Sequence, residues 1–145
     1  MKNLLLSLML LFALTACSEK NDPDKLIVGE WELVSSVNAW TGEKLEGADL
    51  YYRETYLFRR DGKFTKIHQN EDGNLQASGT YSTEKLESTS DSEIKFYLNL
   101  SFTAGYQIVG SCYGNKKEIM VYNVNKQLRN TWGECDGPIH TYDRK

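Results

Sequence analysis

The chain has 145 residues, of which 40% are hydrophobic and 12% aromatic, a composition too apolar for an intrinsically disordered protein. This length has room for a single folded domain. The formal net charge is -3. A nucleic-acid partner would require a basic face to neutralise its phosphates, so we expect no nucleic-acid partner.

The first 17 residues have the pattern of an export signal. Lys2 supplies a positive charge, and the apolar stretch at residues 4–14, interrupted only by Ser7, has the length of a signal-peptide core. It is shorter than the roughly 20 apolar residues that span a bilayer. The sequence LTAC at residues 14–17 resembles the lipobox of bacterial lipoproteins, which implies cleavage after residue 16 and lipidation of Cys17. The alternative is an ordinary signal peptide with an incidental cysteine.

Residues 18–25 are polar and charged without periodicity, which predicts a solvated tether. We therefore assign residues 1–16 to a signal peptide, 17–28 to the lipidated cysteine and a flexible tether, and 29–145 to the folded domain. Acidic residues after the lipidated cysteine resemble the surface-export signal of Bacteroidetes-type lipoproteins, although Lys20 interrupts them. A plain linker explains them equally well. We expect an outer-membrane lipoprotein, periplasmic or surface-exposed, held to the membrane through Cys17.

Beyond the tether, apolar residues recur with period two, which predicts β-strands. In residues 93–102, one face carries Ile94, Phe96, Leu98, Leu100 and Phe102. Asp-Gly dipeptides such as Asp61-Gly62 favour tight hairpin turns. Eight strands are predicted, at residues 29–37, 53–58, from 64 onward, 76–82, 93–102, 106–113, 118–124 and 138–144.

Sequential short strands with almost no helical pattern predict an all-β fold, an eight-stranded antiparallel up-and-down β-barrel. Only residues 24–28 look helical, as one short N-terminal turn. The longest connection, residues 38–52, is either a lid or a plain loop.

A Gly-x-Trp sequence at residues 29–31, after a short apolar turn, resembles the opening motif of the calycin families, lipocalins and fatty-acid-binding proteins. The resemblance implies that Trp31 closes one end of the barrel and that Arg144, from the last strand, packs over it as a cation-π pair. With FRRDGKF at 58–64 and SGTYS at 78–82, nearly all of residues 29–145 resembles the lipocalin-like lipoproteins of Bacteroidetes-type bacteria. The second lipocalin signature, Thr-Asp-Tyr, has no match, so the interior is either a cavity or filled by side chains.

With Cys17 lipidated, Cys112 and Cys135 remain as an even pair in an oxidising compartment. We expect them to form a disulfide between the predicted sixth strand and the segment before the last strand. Free buried thiols are the alternative.

The sequence contains no convincing reaction centre. Cys112, within GSCY, echoes part of the papain-type motif with His140 as a base, but the motif's preceding cysteine is missing and the spacing is short. His68 and His140 are the only histidines and lack zinc-binding spacing, so we place them on the surface or on strand faces. No two acids stand out as a general acid and base. We expect no catalytic residue, no metal and no cofactor.

Candidate ligand contacts lie on inward strand faces and in two irregular segments, residues 38–52 and 127–135. If the two segments meet at one barrel mouth, their aromatic residues, with Tyr51 and Tyr52, form a patch for a ligand or partner. The alternative for all of these residues is a purely structural role in the core. The candidates are Phe96, Leu98, Leu100, Met120, Tyr122, Trp40 and Trp132.

The leading hypothesis is therefore a non-enzymatic, membrane-anchored binding lipoprotein that holds a small apolar ligand in the barrel or presents its loops to a partner. It rests on the resemblance of the fold and on the predicted location at the membrane. A second hypothesis is an inhibitor of a lysozyme-type enzyme, because Ser78-Gly79-Thr80-Tyr81 loosely resembles the Ser-Gly-x-x-Tyr loop of such inhibitors. A third is a structural subunit of an envelope complex.

Overall fold

The computed structural model of the chain describes residues 22–86, 93–114 and 116–145, so the predicted signal peptide and Cys17 lie outside the described residues. Three 3-10 helices lie in connections of these ranges, at Gly47–Asp49, Tyr106–Ile108 and Trp132–Cys135. No helix in the same ranges is long and apolar enough to cross a membrane. The remaining elements are a helix and nine strands: α1 (Pro23–Ile27), β1 (Gly29–Val37), β2 (Lys44–Glu46), β3 (Arg53–Phe58), β4 (Lys63–Asn70), β5 (Gly73–Lys85), β6 (Ile94–Ala104), β7 (Lys117–Asn123), β8 (Leu128–Asn130) and β9 (Ile139–Arg144).

The strands form a closed barrel. From β3 to β9 each strand pairs antiparallel with the next, and β1 pairs with both β3 and β9. Eight strands thus complete the barrel, while the three-residue β2 pairs only with the end of β1. The predicted eight-stranded antiparallel up-and-down barrel with one small helix is confirmed.

One of the eight predicted strands is wrong. Residues 106–113 do not form a strand, because the chain leaves β6 at Gly105 with a φ of 75° and turns at once into the 3-10 helix Tyr106–Ile108. The barrel is completed instead by β8, which lies in a stretch that looked irregular in sequence. Three residues are too few to show a period-two pattern.

Helix α1 belongs to the folded unit. The side chain of Asp22 accepts a hydrogen bond from the backbone N–H of Asp24, and Pro23 occupies the first turn, where its missing N–H costs nothing. Ile27 is completely buried, and its carbonyl accepts a hydrogen bond from the Trp31 indole at 2.8 Å. Helix α1, which lies within the segment assigned to the tether, therefore packs against the barrel.

Trp31 and Arg144 close the end of the barrel that lies beside α1. The Trp31 side chain is 1% exposed, and the Arg144 guanidinium lies 5.6 Å from the centre of its ring. Arg144 also donates to the backbone carbonyl of Val28. Trp31 and Arg144 are direct partners in the register of β1 and β9. The geometry is the cation-π arrangement that the calycin resemblance implied.

Inward side chains above Trp31 fill this end of the barrel with aromatic and aliphatic groups. Tyr122 meets Trp31 edge-on with ring centres 6.1 Å apart and stacks on Phe96 at 4.7 Å. Phe64 contacts Phe102 edge-on at 4.9 Å. These side chains fill the lower half of the barrel, the half nearer Trp31, as in other close-packed interiors.

The predicted disulfide between Cys112 and Cys135 is confirmed. Cys112 lies in the irregular connection between β6 and β7 rather than in a strand, and Cys135 ends the 3-10 helix between β8 and β9. The bond therefore ties together two connections at the end of the barrel opposite Trp31.

Replacing both cysteines, as Cys112→Ala/Cys135→Ala, is expected to lower the free energy of unfolding by about 3 kcal/mol, because it removes a constraint on the unfolded chain. Urea unfolding curves at neutral pH measure this difference. The unmodified barrel under reducing conditions serves as the matched control and should show the same loss. Unchanged curves for both samples would contradict the assignment.

Candidate ligand site at the barrel mouth

Three charged side chains point into the upper half of the barrel, which is the half farther from Trp31. The same period-two alternation that buries Tyr56 and Phe64 also turns Glu54 on β3, Lys66 on β4 and Glu118 on β7 inward. Their residues are 4%, 3% and 3% exposed, respectively. Charged residues are buried to this degree almost only when they are paired.

Lys66 joins the two carboxylates. Its Nζ lies 2.9 Å from Glu118 Oε1 and 3.2 Å from Glu54 Oε1. Glu118 also accepts hydrogen bonds from the Tyr56 hydroxyl and, at 2.8 Å, from the backbone N–H of Gly110. Every charge in this group, which we call the ion triad, therefore has partners that offset part of its desolvation cost.

The partners of the triad set its charge state. Burial alone would raise the pKa of Glu54, but the Lys66 ammonium and hydrogen bonds from His68 and Tyr142 outweigh it and lower that pKa to about 2. Burial alone would lower the pKa of Lys66, yet attraction to Glu54 and Glu118 raises it. At neutral pH Glu54 is therefore a carboxylate and Lys66 an ammonium.

A second layer of hydrogen bonds lies above the triad. The Tyr142 hydroxyl donates to Glu54 Oε1 at 2.6 Å and lies 3.3 Å from His140 Nδ1. His140 Nε2 is 2.9 Å from the Tyr52 hydroxyl, and His68 Nδ1 is 3.2 Å from Glu54 Oε2. Burial lowers the pKa of His140 to about 4, despite the opposing attraction of Glu54, so this ring is neutral at pH 7.

Above these groups the barrel opens into a cavity of about 320 Å³. The triad and its tyrosine partners form the floor. The rim comes from β4, β5 and the two connections that the disulfide joins. The lining residues are Tyr52, Glu54, Tyr56, Lys66, His68, Leu75, Gln107, Ile108, Val109, Gly110, Glu118, Asn130, Trp132, Pro138, His140 and Tyr142.

Trp132 is held on the rim by two glycines. A Cβ at Gly110 would lie 2.3 Å from the Trp132 ring, and one at Gly137 would also lie 2.3 Å from it, so no other residue fits at either position without displacement. The backbone N–H of the same Gly110 donates a hydrogen bond to Glu118. The rim and the triad are therefore built together.

The predicted contact residues divide into three groups. Trp132 lines the cavity, together with Tyr52 from the other predicted segment, so the two segments do meet at one mouth. Trp40 and Tyr51 are 76% and 77% exposed and lie on the outer side of the mouth, near Pro138. The five predicted strand residues are packed in the core cluster below the cavity: Phe96, Leu98, Leu100, Met120 and Tyr122.

Sequence reasoning missed the charged floor. The signal was present, because Glu54, Lys66 and Glu118 each stand two residues from a buried apolar or aromatic residue of the same strand, in the inward phase. Both histidines lie in strands, one of the two placements expected for them: His140 is on β9 and 4% exposed, and His68 is on β4 and half-buried at the mouth.

Other candidate centres find little support. Cys112 is bonded to Cys135 and is not a free thiol. Ser78 and Tyr81 lie within β5, paired on one side with β4 and on the other with β6, and so do not form a projecting loop. In the part of the chain that the structure describes, no cluster of histidine, cysteine or acidic residues could hold a metal ion.

Comparison with protein-family models, with curated proteins and with solved structures gives no significant match. The cavity and its chemistry therefore carry the functional argument.

Stability should fall in acid because His140 is neutral in the folded barrel. Its pKa is 6.5 in the unfolded chain and about 4 when folded, so only the unfolded state gains a proton between these values. The free energy of unfolding should fall by about 3 kcal/mol from pH 7 to pH 4 through this residue. Urea unfolding at several pH values measures how steeply the free energy of unfolding changes with pH.

The variant His140→Gln should show a shallower slope between pH 6.5 and pH 4. It should keep the further loss below pH 4.5 that comes from protonating Glu54, whose folded pKa is about 2. Identical slopes for the variant and the unmodified protein would contradict the assignment.

Proposed function

We propose that this protein is a membrane-anchored, lipocalin-like binding lipoprotein that holds one small ligand in the cavity at the barrel mouth. The observation that carries the proposal is a cavity of about 320 Å³ whose floor is a buried ion triad and whose rim is partly apolar. Pockets that combine apolar walls with a few fixed polar groups are typical small-molecule sites. The size suits one small compound.

The polar floor changes the kind of ligand that we expect. A wholly apolar ligand would cover half-buried polar residues of the lining, such as Tyr52 and His68, without offering them a hydrogen bond, which is costly. An amphipathic ligand can instead place a polar group near the floor and an apolar part against Trp132, Ile108 and Val109. The site thus favours a small amphipathic compound over a fatty chain.

Helix α1, which follows the proposed anchor in the sequence, lies at the end of the barrel opposite the cavity. Helix α1 packs beside Trp31, and Asp24 accepts a hydrogen bond from Thr83 near the end of β5. A lipid on Cys17, five residues before Asp22, would hold this closed end toward the membrane and leave the mouth facing the solvent. A binding site on a tethered protein requires such access.

Blocking the mouth should abolish binding. Leu75 lines the cavity and is 42% exposed, so Leu75→Trp places a large ring in the entrance. Leu57→Trp is the matched control, because Leu57 is similarly exposed on β3 and is not part of the cavity lining. NMR titration of the barrel, residues 22–145, with a library of small amphipathic compounds should shift the Gly110 amide and Trp132 indole signals.

These shifts should persist in Leu57→Trp and disappear in Leu75→Trp. The barrel is used alone because it contains every described strand, the core and the disulfide. If no compound shifts the mouth signals, or if both variants bind equally, the cavity is not a ligand site.

The anchor is tested separately in cells that express the full chain. Labelling with a palmitate analogue should modify the protein and place it in the membrane fraction, and Cys17→Ser should lose both properties because the acylated thiol is gone. Cys112→Ser is the matched control and should keep the label. A labelled Cys17→Ser protein would contradict lipidation at this residue.

A further inference from the structure

The directions of the hydrogen bonds at the mouth show which atoms remain available to a ligand. The single hydroxyl proton of Tyr142 goes to Glu54, so the contact between Tyr142 and His140 Nδ1 must be donated by the imidazole. We therefore assign the neutral His140 ring its proton on Nδ1. Its Nε2 must then accept from the Tyr52 hydroxyl, 2.9 Å away.

Two acceptors at the mouth result from this arrangement. The Tyr52 hydroxyl donates its hydrogen bond to His140, and its oxygen keeps lone pairs that can accept from a donor. His68 directs Nδ1 to the Glu54 carboxylate, so that in the neutral ring Nε2 is an acceptor, and this atom has no hydrogen-bond partner within the described residues. The rings of Tyr52 and His68 lie 4.3 Å apart. The two acceptors are thus neighbours.

The charge of the floor has the matching sign. Glu54 and Glu118 face a single ammonium, that of Lys66, which leaves a formal charge of one negative unit when both histidines are counted as neutral. In a partly enclosed site with low-dielectric walls this excess charge attracts cations more strongly than it would in open water. Lys66 is fully engaged and offers nothing to an anion.

The faces of two aromatic rings also favour a cation at this site. Tyr52 and Trp132 both line the rim of the cavity, and the electron-rich face of such rings attracts organic cations. Ile108 and Val109 add an apolar wall for an uncharged part of the ligand.

We infer that the ligand of the cavity is a small organic amine in its protonated form, with its ammonium group between the Tyr52 oxygen and His68 Nε2 and its apolar part against Trp132. The inference rests on the proposed function and specifies the ligand class of the same site. An ammonium supplies the donors that both acceptors lack and offsets the negative charge of the floor.

Three probes of nearly equal size and different charge test this inference on the unmodified barrel: 2-phenylethylamine, 2-phenylethanol and 3-phenylpropionate. Isothermal titration and NMR mapping of the mouth signals give affinity and location. We expect the amine to bind at least about tenfold more tightly than the alcohol, and the carboxylate to bind more weakly than the alcohol.

The variant Tyr52→Phe tests the proposed contact. It removes the hydroxyl and should weaken amine binding about tenfold while leaving the alcohol less affected. Tyr51→Phe is the matched control, since Tyr51 is the adjacent, exposed tyrosine and lies outside the cavity lining, and it should bind like the unmodified barrel.

The results distinguish this inference from the proposed function. If the alcohol or the carboxylate binds at the mouth as tightly as the amine, the amine assignment is overturned and the binding function stands. If none of the three probes binds, the amine assignment is also overturned, and the separate library titration decides the binding function. The comparison of probes requires no variant, so it holds even if Tyr52→Phe folds poorly.

Discussion

The ammonium of Lys66, held between the carboxylates of Glu54 and Glu118, is the interaction on which the upper half of the barrel depends. None of the three charges could remain buried without the others, and removal of one partner from a buried ion pair typically costs about 3 to 5 kcal/mol. Apolar replacements of such groups are often at least as stable, so stability alone is a weak explanation for the triad. A better explanation is the excess negative charge that the triad places at the floor of the cavity.

The triad also requires a particular rim. Glu118 needs the backbone N–H of Gly110, and Gly110 must lack a side chain because Trp132 packs against it. The Cys112–Cys135 bond fixes the two connections that carry these residues. The cavity entrance is thus made of irregular chain, as in many binding proteins, but the chain is held by covalent and hydrogen bonds rather than left free to adapt.

The barrel combines two interiors with different physical character. The closed end excludes water with stacked aromatic residues and is sealed by Trp31 and Arg144, which gives the fold its apolar core. The open end contains tyrosine hydroxyls, imidazoles and charges, and in the described residues each side-chain nitrogen or oxygen atom that is itself fully buried has a hydrogen-bond partner. Such a preorganised polar site loses little freedom on binding, so a small ligand can be held without rearrangement of the barrel.

The sequence by itself determined the strand-rich fold, the short helix before Gly29, the Trp31 and Arg144 pair and the Cys112–Cys135 bond. These features follow from local periodicity, from the resemblance of a short motif to the calycin families and from cysteine count, all of which can be seen without knowing which strands are neighbours. Only the tertiary structure decided that β8 rather than residues 106–113 completes the barrel, and that the five predicted contact residues are core. It also decided the site, because Lys66 and Glu118 are 52 residues apart in the chain and Tyr56 and Glu118 are 62 apart. An inward charge is visible in a strand pattern, but the partner that allows its burial is brought to it only by barrel closure.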